Sequence, residues 1–437
     1  MQFNYCVFGV FLAVYVLQTC LDLWMERLNL RYASQLGDKV PRPFEGLINE
    51  KQLAEMRSYN VDKTRVRVSQ QLASDLVLLT LILSGFPVFL EGMFMKWGVP
   101  FYPAGLLFFV VPGLVLYAIG LPFSYYQTFV IEERFGFNRS TVRIWVLDHL
   151  KSGLLGVVLF AILLFLILWL IRIFPAEWWL WGFAIVSCVQ SLLGILYPVI
   201  IAPIFNKFEP VQDELLAKKL TRLVEENGIK VKRILQMNAG IRSRHSNAYF
   251  TGLGRTKQIV LFDTLIESHS HDEILSILAH EVGHFKRKHI TKQLLLFEVT
   301  MLVAFYLTAL LMSWHSLYSA FGFTQPQAYV GLFFIGIIWQ KASFFVQPFF
   351  MAVSRRFERE ADLYASRLVE TPRPLIAALK RMAKENLSNL TPHPLYVLFN
   401  YSHPPLIERI ALLEDVELEC DLSSGRPDGY TNAGGLN

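Results

Sequence analysis

The stretch AHEVGHFKRKH, residues 279–289, sets two histidines four apart around a glutamate and follows them with a basic cluster. On a helix, positions i and i+4 lie one turn apart on the same face, so His280 and His284 direct two imidazoles at one point. Two such nitrogens can hold one Zn²⁺ at about 2.0–2.1 Å each. Glu281 points to a neighbouring side of that face. Its carboxylate can reach a water at the ion without being a ligand, taking its proton and later passing it to a leaving amine. The preceding residues support the helix. Ser270 with Glu273 forms a capping-box start, and Ile274, Ile277 and Leu278 form an apolar stripe. Both histidines fall beside that stripe. Lys286, Arg287 and Lys288 read as a charge band at lipid-headgroup level.

A catalytic zinc takes three protein ligands and keeps one open position. His289 follows His284 by five residues, is rotated off the shared face, and is expected as a solvated side chain. A carboxylate from elsewhere is therefore required. The segment SRRFEREAD, residues 354–362, offers Glu358, Glu360 and Asp362. Glu358 and Asp362 share a helix face, and Glu360 points away from it. The spacing favours Glu358 as ligand and Asp362 as a carboxylate holding the far N–H of a ligating histidine.

The surroundings of this motif are membrane-like. Of 437 residues 53% are hydrophobic and 18% charged, against about 45–50% and about 25% in soluble domains. The net charge of +5 is too modest to suggest nucleic-acid binding. Crossing a bilayer takes about 20 apolar residues of helix, and seven stretches qualify: 3–23, 76–97, 101–121, 152–174, 178–201, 294–314 and 329–350. The first has no basic run before it and reads as a retained span rather than a removable signal peptide. Basic residues crowd alternate connections, including Arg27 to Arg67, Arg134 to Arg143 and the 202–292 region. By the positive-inside rule these connections and the C-terminus are cytosolic. The cysteines show no CxxC spacing, which argues against a zinc ribbon or a disulfide framework.

Five regions follow. Residues 1–201 hold spans one to five with cytosolic connections. Residues 202–292 form a cytosolic zinc-protease core, and 293–350 hold spans six and seven. Residues 351–422 form a cytosolic helical part with the third ligand, and 423–437 a flexible tail. Within the core, DELLAKKLTRLVEENG reads as an amphipathic helix. RILQMNA, NAYFTG and QIVLFDT read as short strands, the last two joined by a turn around Gly252–Thr256. The expected fold is mainly α: a seven-helix multi-pass membrane protein with a cytosolic, gluzincin-like α+β zinc-metalloprotease domain.

HEVGH (280–284), SRRFEREAD (354–362), FGFNRST (135–141), HSNAYFTG (245–252) with IVLFDTL (259–265), and YSHPPLIERI (401–410) together resemble the integral-membrane type I CAAX prenyl proteases. The resemblance covers nearly the whole chain. It implies Glu358 as third ligand, and Asn247 on an edge strand that holds the substrate extended. It also implies His403 and Arg409 near the scissile carbonyl, stabilising its oxyanion. A large intramembrane chamber is implied too, which Asp75, Glu91, Glu298, Gln340, Lys341 and Gln347 would line.

The leading expectation is thus a membrane zinc endopeptidase that removes the C-terminal tripeptide of prenylated CAAX proteins. Its compartment would be the endoplasmic reticulum membrane if eukaryotic, or the inner cell membrane if bacterial. A quality-control protease acting on other membrane-associated polypeptides is the second expectation. A transporter or zinc-binding scaffold is the alternative of a different class, but a transporter predicts an internal two-fold repeat, which the sequence lacks.

Overall fold

The computed structural model describes residues 4–35, 39–251 and 258–424. Helix α1 (Tyr5–Gln35) leads into α2 (Glu50–Leu83), α3 (Phe86–Lys96), α4 (Phe101–Tyr126), α5 (Val142–Ile173) and α6 (Trp178–Leu196). Short π-helical segments at Gln127–Glu132 and Tyr197–Ile201 extend α4 and α6. After the one-turn α7 (Ala202–Phe205) come β1 (Phe208–Pro210), α8 (Glu214–Glu226), β2 (Arg233–Met237), β3 (Ala248–Thr251) and β4 (Gln258–Phe262). Then follow α9 (Asp263–Ser268), α10 (His271–Lys286), α11 (His289–Met312), α12 (His315–Ala320) and α13 (Ala328–Leu368). Helices α14 (Arg373–Glu385), α15 (Pro394–Asn400) and α16 (Leu406–Ser424) complete the described chain.

Among the described residues, seven helices are long and apolar enough to cross a membrane: α1, α2, α4, α5, α6, α11 and α13. The chain is a multi-pass membrane protein, mainly helical, with a small sheet beside the motif helix. The second span differs from the run expected at 76–97. That run is broken by Ser84 and Gly85, with Gly85 at φ +74° and Pro87 opening the next helix. A left-handed glycine followed by proline stops one helix and starts another. The helix long and apolar enough to cross there is α2, which begins far upstream at Glu50. Span seven also differs, because it does not end before SRRFEREAD. Helix α13 runs unbroken through 41 residues, about 60 Å at 1.5 Å per residue. One continuous helix, with Pro348 inside it, thus joins the apolar span to Glu358.

The sheet has the order β1-β2-β4-β3, with β2 and β4 parallel and the outer pairings antiparallel. Strand β3 therefore lies at an edge. Leu216, Leu220 and Val224 of α8 pack with Ile259 and Leu261 of β4 and Ile274, Leu278 and Val282 of α10. Each such fully buried aliphatic side chain stabilises the layer by about 1.5–3 kcal/mol. The expected turn at Gly252–Thr256, and 425–437 of the expected tail, lie outside the described residues.

Several polar groups inside the apolar helices are paired with one another. Lys341 Nζ lies 2.8 Å from Asp75 Oδ1, and Thr19 and Tyr15 donate to the same carboxylate. Tyr329 donates to Glu91 Oε2 at 2.6 Å, and Ser187 to Glu298 Oε2 at 2.6 Å. These bonds tie neighbouring helices together where hydrocarbon offers no partner.

Candidate active site

Helix α10 begins as its sequence dictates. The Ser270 hydroxyl accepts from the Glu273 N–H, and the Glu273 carboxylate accepts from the Ser270 N–H. The helix then lies against α13 with no room to spare. A Cβ added at Gly283 would stand 3.1 Å from both Cα and the carbonyl oxygen of Ala361. Gly283, Ala279, Ala361 and Ala365 are all buried. Small residues on both helices let the backbones approach, and this brings Glu358 to the two histidines.

His280 Nε2 and His284 Nε2 are 3.1 Å apart. Glu358 Oε2 lies 3.3 Å from His280 Nε2, and Glu358 Oε1 lies 3.3 Å from His284 Nε2. Two atoms each about 2.0–2.1 Å from one tetrahedral ion stand about 3.3 Å apart. The two imidazole nitrogens and the two carboxylate oxygens thus stand at separations that ligands of one ion have, and one atom from each residue lies within 4.8 Å of the others. Glu358 Oε2 is buried and has no hydrogen-bond partner among the described residues. A buried carboxylate oxygen left this way is costly unless a cation meets it. The donor set therefore fits a metal ion.

Supporting groups surround the triad. His280 Nδ1 stands 2.8 Å from Asp362 Oδ1. The Arg409 guanidinium forks onto the same carboxylate, Nε to Oδ2 at 2.8 Å and Nη2 to Oδ1 at 2.6 Å. Burial alone would lower the His280 pKa, but Asp362 and Glu358 raise it to about 9 in the metal-free protein. His403 Nε2 reaches within 3.4 Å of Glu358 Oε1 while its side chain keeps 59% of its surface accessible. Arg355, one turn before Glu358, donates to the carbonyls of Val397 and Tyr401 and so fixes the segment that carries His403. Burial raises the Glu281 carboxyl pKa, opposed by the nearby charges of His280 and His284.

Strand β3 runs beside α10. Asn247 immediately precedes it and is exposed, its Oδ1 accepting from the Ala248 N–H and its carbonyl from the Phe262 N–H. The FGFNRST segment buttresses the approach to this strand. Arg139 N–H donates to the Arg242 carbonyl, and Arg244 N–H to the Phe137 carbonyl. His245 stacks on Phe137 with ring centroids 4.3 Å apart.

Every site residue singled out in the sequence except Asn247 gathers around one point or its immediate support. Two of the Arg409 donors are engaged by Asp362. Two findings were not legible. His289, expected in solvent, is buried with its Nδ1 3.1 Å from His284 Nδ1. A cavity of about 640 Å³ also opens beside Tyr401, lined among others by Arg57, Lys63, Arg67, Glu132 and His245. Its lining comes from residues far apart in sequence, so no local pattern announces it.

A multi-pass helical membrane fold with two motif histidines and a distant glutamate converging beside a half-buried Glu281 defines an integral-membrane metalloendopeptidase. Comparisons with known proteins agree and are more specific. Residues 210–417 match the model of peptidase family M48, and residues 29–207 match that of the CAAX prenyl protease N-terminal region with five membrane helices. The CAAX prenyl protease 1 homolog of Oryza sativa subsp. japonica is 32% identical over 421 residues, covering 92% of this chain and 95% of that protein. CAAX prenyl protease 1 of Saccharomyces cerevisiae is 37% identical over 317 residues, 68% of this chain and 69% of that protein. The crystal structure of S. mikatae Ste24p aligns with TM-score 0.87 at 30% identity, covering 93% of this chain and 99% of that one. The chain belongs to the CAAX prenyl protease family of M48 metallopeptidases.

Proposed function

We propose that this protein is a zinc endopeptidase of the endoplasmic reticulum membrane, its site facing the cytosol, that removes the C-terminal tripeptide from prenylated CAAX proteins. The convergence of His280, His284 and Glu358, ligand atoms within 4.8 Å of one another, carries this reading. The relatives named CAAX prenyl protease 1 supply the substrate class, and the basic connections supply the orientation. Two imidazoles and one carboxylate suit zinc. Zn²⁺ held by these residues would supply Lewis-acid charge stabilisation and lower the pKa of a water it holds towards about 7.

The chain's own groups do the rest. Glu281 accepts the proton of the attacking water and returns it to the leaving amine nitrogen. Its burial keeps the carboxylate a stronger base than one in water. His403 donates a hydrogen bond to the carbonyl oxygen as negative charge grows there. Arg409 holds Asp362 in place and adds positive charge behind it, while Asp362 fixes the ring of His280. The open edge of β3, entered at Asn247, takes the peptide as an added strand with little side-chain selection. The prenyl chain keeps the substrate in the bilayer, next to the site.

The test is cleavage of a farnesylated CAAX peptide and its unprenylated counterpart by purified protein, with and without a chelator. The farnesylated peptide should lose three residues, the chelator should stop this, and added zinc should restore it. Equal cleavage of both peptides would point to quality control of membrane polypeptides instead. Cleavage that the chelator leaves untouched would end the metallopeptidase mechanism.

A further inference from the structure

Helix α10 ends at Lys286, and Lys288 takes a left-handed backbone with φ 56° before α11 begins at His289. This turn brings His289 back against the motif it had just left. His289 is 1% exposed and stacks on Phe357 with ring centroids 4.3 Å apart and planes 8° from parallel. Its Nδ1 lies 3.1 Å from His284 Nδ1, and its Nε2 lies 3.1 Å from Glu360 Oε2. The other Glu360 oxygen accepts from Arg356 Nε at 3.0 Å.

Two imidazole nitrogens at hydrogen-bonding distance share one proton, because one must donate and the other accept. Glu360 accepts and so favours the proton of His289 on Nε2. The Nδ1 of His289 is then an acceptor, and the shared proton sits on Nδ1 of His284. That leaves the lone pair of His284 on Nε2, the atom facing Glu358. The reverse arrangement would put a proton on the metal-facing nitrogen. His280 is oriented in parallel by Asp362 at its own Nδ1.

We infer that His289 and Glu360 are positioning residues, a second-layer pair that sets the tautomer and ring orientation of His284 for metal binding. Glu360 faces away from Glu358 on α13, yet it acts on the same centre through two intervening rings, those of His289 and His284. This extends the ligand assignment proposed above and rests on it. A partner of this kind is worth about 10–100-fold in metal affinity.

The experiment measures Co²⁺ and Zn²⁺ affinity by chelator competition, the visible spectrum of the Co²⁺ protein, and the melting temperature of the metal-free protein. Three variants decide it. His289→Phe keeps the stack on Phe357 but accepts no hydrogen bond. His289→Asn puts an amide oxygen near the Nδ1 position. Glu360→Ala changes only the half-buried end of the chain, and it substitutes if His289→Phe does not fold. Metal affinity about 10–100-fold lower with a shifted Co²⁺ spectrum is expected for His289→Phe, with recovery in His289→Asn and unchanged metal-free melting. Glu360→Ala should weaken affinity in the same direction. Wild-type affinity and spectrum in His289→Phe would overturn the inference. Equal loss in His289→Phe and His289→Asn, with lowered metal-free melting, would reduce His289 to packing. A His284→Ala control that still binds metal like wild type would instead show that the ligand assignment itself fails.

Discussion

His280 Nδ1 stands 2.8 Å from Asp362 Oδ1, and this carboxylate, fully buried, is shared with the Arg409 guanidinium. One acid thus orients a motif histidine and neutralises a buried cation. Replacing Asp362 by Asn removes the charge but keeps the shape. Leaving Arg409 buried without its partner should cost about 3–5 kcal/mol of stability. Metal affinity should fall about 10–100-fold as His280 loses its anchor. Thermal melting with chelator competition reads both effects, and an Asp362→Asn protein matching wild type in each would remove Asp362 from the supporting layer.

Glu281 should separate chemistry from metal binding. Glu281→Gln keeps the side-chain volume and cannot accept the water's proton. Peptide hydrolysis should drop by about 10²–10⁴-fold, with metal content unchanged by elemental analysis. Loss of metal along with activity would recast Glu281 as a structural or ligating residue.

How much of this site was readable in advance depended on whether local periodicity governed it. The face shared by His280 and His284, the Ser270 cap and the offset between Glu358 and Glu360 all follow from helical spacing, and α10 and α13 obey it. His289 escaped because the helix does not continue. Lys288 adopts a left-handed turn that β-carbon sterics make uncommon, and no glycine or asparagine marks it. The three-residue strand β1 is too short for an alternation pattern to register. The run 76–97 reads as one span by hydropathy, but Gly85 and Pro87 divide it between two helices.

Acid should weaken the peptidase domain through a group remote from the metal. His269 is buried, and burial lowers its pKa below the ordinary 6.5, with Arg381 adding to the effect and Glu273 opposing it. Below about pH 6.5 the unfolded chain takes up the proton that the folded chain refuses, so stability falls as pH drops through that value. Melting temperature measured from pH 7.5 to 5 should decline, and His269→Phe should flatten the slope. An unaltered slope in the variant would assign the acid sensitivity elsewhere.

Within the bilayer, Lys341 and Asp75 form a buried pair joining α13 to α2. Asp75→Leu leaves an uncompensated ammonium and should destabilise by about 3–5 kcal/mol, whereas the double replacement Asp75→Leu with Lys341→Met should recover most of it. Detergent-solubilised melting of the two single variants and the double variant tests the coupling. Additive losses would mean that the pair contributes nothing as a pair.

Zinc K-edge X-ray absorption on purified, catalytically active protein tests the metal centre most directly. Two imidazole nitrogens and a carboxylate oxygen should appear at about 2.0–2.1 Å in a four-coordinate shell, and Glu358→Gln should weaken binding of the ion. Active protein without a stoichiometric metal, or a first shell lacking two imidazoles, would contradict the proposed site.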